Sequence, residues 1–177
     1  MTLAYLTSPI SNPVFALGLG SFFLLLFAMP IAFWAVGGDR QSAVVKVLVA
    51  LANLTLTAQL VLRWIESGHF PISNLYESLC FLTWGCTLTQ LFAERAWRSP
   101  IVSAVATPVS LLCVGFASFA LPENLQSSSP LVPALRSSWL IMHVSVIMCS
   151  YAALLIGSIL SFGVFFVDFN KEIKIRN

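Results

Sequence analysis

Two histidines, two arginines and one Asn/Glu pair are the side chains whose type and position in this sequence could do chemistry. His143 stands out, because it lies inside a long apolar run, and an ionisable side chain within a membrane-spanning helix is costly and by default a functional candidate. An imidazole nitrogen with a free lone pair is a ligand for transition metals, haem iron among them. On a helical projection Trp139, His143, Val146, Ser150, Gly157 and Ser161 fall near one face. Ala153, Gly157 and Ser161 put a small residue at every fourth position, a spacing that suits close helix packing. The expectation is therefore that His143 faces protein or a cavity. The competing reading is an interfacial histidine bonded to a carbonyl or to water.

The segment RWIESGHFPISNLYESL, which begins at Arg63, is the densest polar stretch. Asn74 followed by Glu77, just before an apolar run, has the spacing of a capping box in which both side chains satisfy free N–H groups of the next helix. His69 reads first as a solvated loop residue and second as a weak metal-ligand candidate. Arg63 and Arg136 have the planar fork that binds carboxylates in bidentate fashion, such as the two propionates of a porphyrin. The competing reading for each arginine is an anchor that snorkels from a helix end to the interface. Asn53, Thr57 and Gln59 are expected to bond between helices. Cys80, Cys86, Cys113 and Cys149 all sit in apolar runs without a C-x-x-C pair or a zinc spacing, so they read as small buried hydrophobes.

The elements that must position these residues are membrane helices. The 177 residues are 58% hydrophobic and 9% charged, against about 25% charged in soluble domains. A spanning helix needs roughly 20 apolar residues. The chain supplies five such runs, at about 14–36, 44–62, 75–93, 101–121 and 139–167, with Pro30 and Pro108 inside the first and fourth. None alternates as a barrel strand would, and backbone in lipid must be satisfied within its own segment. The predicted fold is all-α, a single polytopic membrane domain over residues 1–177 with five helices, loops at 63–74 and 122–138, and a polar tail at 168–177. The last run has 29 residues, about 43 Å of helix at 1.5 Å per residue, so one end is expected to project from the bilayer.

Charge sets the expected orientation. Five spans place Arg40, Lys46, Arg95, Arg98, Lys171, Lys174 and Arg176 on one side and only Arg63 and Arg136 on the other. The positive-inside rule then puts the N-terminus outside, the tail in the cytoplasm, and both histidines at the outer surface. A net charge of +2 with no dense basic tract argues against nucleic acid as a partner and leaves membrane lipid as the obvious surroundings. Glu77 and His143 are the ionisable groups placed inside the inner spans, too few for an evident transport relay.

Two strings, RWIESGHFPISNLYESLCFLTW and PLVPALRSSWLIMHVSVIMCSYAALLIGSILS, resemble segments of the CcsA family of cytochrome c biogenesis proteins, in the same order and spacing. The likeness covers about Arg63 to Ser161 well and the first two spans loosely, and it is closest to cyanobacterial and plastid forms. The resemblance implies a thylakoid or bacterial inner-membrane protein that handles haem on the outer face. There the haem vinyl groups react with the thiols of apocytochrome c, and a CcsB (ResB-like) membrane protein is the partner. It also implies that His143 matches the first of two histidines flanking the family's tryptophan-rich haem segment. That segment, of the form W-G-x-Y-W-x-W-D, and the second flanking histidine do not occur in these 177 residues. The expectation is thus a component of a cytochrome c synthase complex that is not active alone, and the alternative is a non-catalytic membrane scaffold.

Overall fold

A computed structural model describes residues 13–38, 43–122, 126 and 137–176, with side chains up to Phe165. Among the described residues, five long helices carry the chain back and forth. They are α1 (Pro13–Gly37), α2 (Ala43–Ser67), α3 (Leu75–Trp97), α4 (Pro100–Gly115, continued by a π-helical turn Phe116–Ala120) and α5 (Ser138–Arg176). The fold is all-α and polytopic, as composition predicts. Among the described residues, four helices are long and apolar enough to cross a bilayer: α1, α2, α4 with its π turn, and α5 over Ser138–Phe165. α3 falls short on composition because Glu77, Thr83, Thr87, Gln90 and Glu94 lie along it.

Those polar residues explain the place of α3. It packs on α2, α4 and α5 at once, and Tyr76, Glu77, Cys80, Thr83, Thr87, Gln90 and Glu94 are all buried. Their spacing of three and four residues keeps one stripe on one face. Lipid offers hydrogen bonds to none of them, so the stripe must meet protein. Asn53 of α2 donates to the Thr87 hydroxyl (2.8 Å) and the Trp84 carbonyl (3.0 Å). Gln59 donates to the Tyr76 hydroxyl (2.7 Å), and the Trp84 indole donates to Thr57 (2.9 Å). The three α2 residues expected to bond between helices all do so. Apolar layers surround this seam. Leu25, Ala28 and Ala32 of α1 pack on Val45, Val49 and Leu56 of α2 with Leu111 and Val114 of α4, while Cys86 meets Val102, Ala106, Ala152 and Ile156 across α3, α4 and α5.

Helix ends differ from the apolar runs. α2 continues to Ser67, so Arg63 and Glu66 are helical and the loop opens at Gly68, whose φ of +71° suits glycine. α3 continues to Trp97, which brings Glu94 inside the bundle. Glu94 is only 1% exposed, and its Oε1 accepts from Gln90 (2.8 Å) and Ser103 (2.7 Å). It is a buried ionisable residue that an apolar run ending at Ala93 leaves out. α5 keeps its helical backbone through the polar tail to Arg176, 39 residues in all, or about 58 Å at 1.5 Å per residue.

Candidate functional site

Both histidines lie at one end of the bundle, with the loop between α2 and α3 and the start of α5. α5 begins after Ser137 with His143 in its second turn, and the described residues cover one face of the helix. Ala152, Ile156 and Leu160 are buried against α3 and α4, and a Cβ placed on Gly85 of α3 would lie 2.9 Å from that of Ala152. The opposite face, with Trp139, Met142, His143, Val146, Ser150, Ala153, Gly157 and Ser161, is exposed. The stripe expected to face protein or a cavity therefore points away from the other described helices. The reason is that α5 sits at the edge of the bundle and buries its Ala152–Ile156–Leu160 ridge instead. His143 has no hydrogen-bond partner among the described residues. Its neighbours one turn away, Trp139 (74% exposed) and Val146 (61%), make an apolar surface around the exposed imidazole.

His69 is held differently. The Ser67 hydroxyl donates to the His69 carbonyl (3.0 Å), and the ring of Phe70 is wedged edge-on between Trp64 and Phe81, at 5.3 and 5.9 Å between centroids. The His69 Nδ1 lies 3.3 Å from the Phe70 carbonyl oxygen. A carbonyl only accepts, so in this contact Nδ1 carries the proton and Nε2 keeps the lone pair. His69 is half-buried.

Arg63 and Glu77 form a buried ion pair, Nε to Oε1 at 2.9 Å with side-chain exposures of 9% and 0%. The guanidinium also donates through Nη2 to the carbonyl of Gln126 and stacks 4.8 Å from the centre of the Tyr76 ring. Glu77 Oε2 accepts from the Ser73 backbone N–H (2.8 Å) and hydroxyl (2.7 Å), while Asn74 Oδ1 accepts from the Glu77 N–H (2.8 Å). Asn74 is thus the N-cap of α3. Besides accepting from Ser73, the Glu77 carboxylate has a second task in neutralising Arg63. Arg63 is no helix-end anchor reaching for the interface, and its engaged guanidinium is not laid open to a propionate. Arg136, the other propionate candidate, lies outside the described residues.

This node joins the end of α2, the loop, the start of α3 and Gln126. Sequence reasoning treated Arg63 and Glu77 as unrelated. The signal was present in two opposite charges, Arg63 near the end of α2 and Glu77 near the start of α3, each beside an otherwise apolar stretch. The buried Gln90–Glu94–Ser103 cluster lies toward the opposite end of α3, far from both histidines.

The arrangement can offer two imidazoles at one end of a rigid bundle, one on an exposed helix face and one on an anchored loop, but no described cluster of three or more His, Cys, Asp or Glu side chains that could hold a metal ion by itself.

The family model for cytochrome c assembly proteins matches residues 72–177. Proteins called cytochrome c biogenesis protein CcsA are similar along nearly the whole chain. The one from Prochlorococcus marinus strain NATL2A is 76% identical over 166 residues, 94% of this chain and 53% of the relative. That of strain MIT 9303 is 69% identical over 177 residues, 100% of this chain and 56% of the relative. That of Parasynechococcus marenigrum strain WH8102 is 66% identical over 164 residues, 93% and 54%. The chain spans about half the length of these curated relatives. No solved structure matches it. With the match running through α3, α4 and α5, the helices that build and carry the histidine end, the chain belongs to the cytochrome c assembly protein family.

Proposed function

We propose that this chain is a haem-handling membrane component of cytochrome c maturation and that His143 is its axial ligand to haem iron. One observation carries the reading: within the family-matched segment, His143 stands exposed and without a hydrogen-bond partner among the described residues, between apolar side chains that suit a porphyrin face. Haem here is cargo. When bound, it supplies an iron that accepts the imidazole lone pair and vinyl groups that can react with the thiols of apocytochrome c. The chain's own part is to hold that imidazole at a fixed height on α5, with α3 and α4 bracing the opposite face. His69, whose Nε2 keeps its lone pair, is the candidate for the other axial position, and Arg136 is the remaining propionate candidate. A CcsB (ResB-like) protein, apocytochrome c and a thylakoid or bacterial inner membrane complete the reading, with the histidine end outward, as the Lys/Arg asymmetry favours.

Purified protein from haem-replete cells should show a Soret band. His143→Ala should abolish it at normal protein levels, and added imidazole should partly restore it by filling the vacated position. Unchanged haem content in His143→Ala would defeat the proposal. A reporter fused after Asn177 should be cytoplasmic, and an external reporter would put the histidines on the wrong side.

A further inference from the structure

The turn between α3 and α4, at the end of the bundle remote from the histidines, has a feature that neither helix packing nor haem handling uses. Arg98 is the one non-glycine residue with positive φ among the described residues, at φ 51° and ψ 30°. It caps α3 through its own N–H, which donates to the Glu94 carbonyl at 3.1 Å. Glycine is the usual residue for such a cap, because a Cβ in the left-handed region crowds the following carbonyl. The backbone here would thus be served better by glycine, so a reason for arginine must be sought in its side chain.

That side chain has two exposed neighbours in sequence. Arg95, Trp97 and Arg98 are all exposed, with Trp97 at 65%. The acidic residue of the turn, Glu94, is turned inward onto Gln90 and Ser103, so within the turn itself the exposed charges are the cations Arg95 and Arg98. The next residues are Ser99, whose hydroxyl accepts from the Ile101 N–H, and Pro100, which starts the spanning helix α4. The turn therefore sits where a bilayer has its headgroups. Tryptophan prefers that depth, and arginine guanidiniums suit bidentate contact with a phosphate.

We propose that Arg95, Trp97 and Arg98 form a binding site for the headgroup of an anionic phospholipid, with the two guanidiniums on the phosphate and Trp97 against the glycerol and upper acyl chain. The site needs no particular leaflet and is independent of haem. It accounts for an arginine held in a conformation that favours glycine.

The test is native mass spectrometry of the full chain released from nanodiscs of mixed phosphatidylglycerol and phosphatidylcholine, together with its melting temperature in lipid-free detergent, where bound lipid adds no stability. Wild type should retain phosphatidylglycerol in preference to phosphatidylcholine. Each of Arg95→Gln and Arg98→Gln should weaken retention roughly fivefold, the effect of one basic residue near an anionic surface. Arg98→Lys should keep a good part of it. Arg98→Gly is decisive, because it relieves the backbone while deleting the charge: it should melt at the wild-type temperature or above and yet lose the lipid. Equal retention of both lipids by wild type, or wild-type retention by Arg98→Gly, would overturn the proposal. So would a lower melting temperature of Arg98→Gly, which would make the arginine a brace of the bundle.

Discussion

α3 and α5 are neighbours built on opposite plans. α3 is the less apolar helix and the more enclosed, with polar side chains turned onto three other helices. α5 is long and apolar over Ser138–Phe165, and only 11% of its most apolar stretch is buried. In water the order would be reversed, since apolar faces go inside. In a bilayer the lipid accepts α5 on any side, and only protein can satisfy α3. The difference teaches that structure in this chain is carried by buried polar groups and that exposed positions are where function can be sought.

If that holds, the largest loss should come from cutting the Arg63–Glu77 pair. Either Arg63→Ala or Glu77→Ala leaves an uncompensated buried charge, with an expected cost of about 3 to 5 kcal/mol. It should appear as a collapse of the monodisperse peak in detergent on mild heating. Replacing both by apolar residues of similar volume should recover much of the loss, because the pair's net worth is far smaller than the cost of halving it. A near-neutral single variant would mean that water reaches the node and would erase the contrast between the helices.

A smaller effect is expected from Asn74→Ala, about 0.5 to 2 kcal/mol for a lost N-cap. It tests whether the loop belongs to the scaffold or to the site. Lower thermal stability with an unchanged haem spectrum places Asn74 in the scaffold. Normal stability with an altered spectrum would move the loop into the site and undo the capping interpretation.

Much of this was legible in residue order. Apolar run length was enough for α1, α2, α4 and α5, because hydrocarbon thickness fixes how much helix a span needs. The run at Leu75 also gave α3. Its ends were not legible, because a helix need not stop where hydrophobicity does: α3 runs past Ala93 to Trp97 and buries Glu94 against Ser103. The polar stripe Tyr76, Cys80, Thr83, Thr87, Gln90 and Glu94 was written in the sequence at intervals of four and three residues, and a search for apolar runs passes over it. For α5 the projection found a true face and misjudged which way it turns. Small residues mark both a packed face and an open one, and only the partner Gly85 shows that Ala152 is on the packed side.

The last prediction uses that ambiguity, since the same substitution on the two helices should have opposite signs. A Cβ at Gly85 would stand 2.9 Å from the Cβ of Ala152, and neither atom can swing aside without moving its helix. Gly85→Ala should therefore cost about 1 to 3 kcal/mol, the usual price of overpacking. At Gly157 a Cβ meets nothing within 4 Å, so Gly157→Ala changes little but backbone freedom and should be neutral or up to about 1 kcal/mol stabilising. Melting temperatures of the two variants, measured in one detergent against wild type, check both signs. If Gly157→Ala instead destabilises the protein in its native membrane but not in detergent, then another helix lies against the open face of α5 there, and His143, on that same face, would be shared with it rather than exposed to lipid.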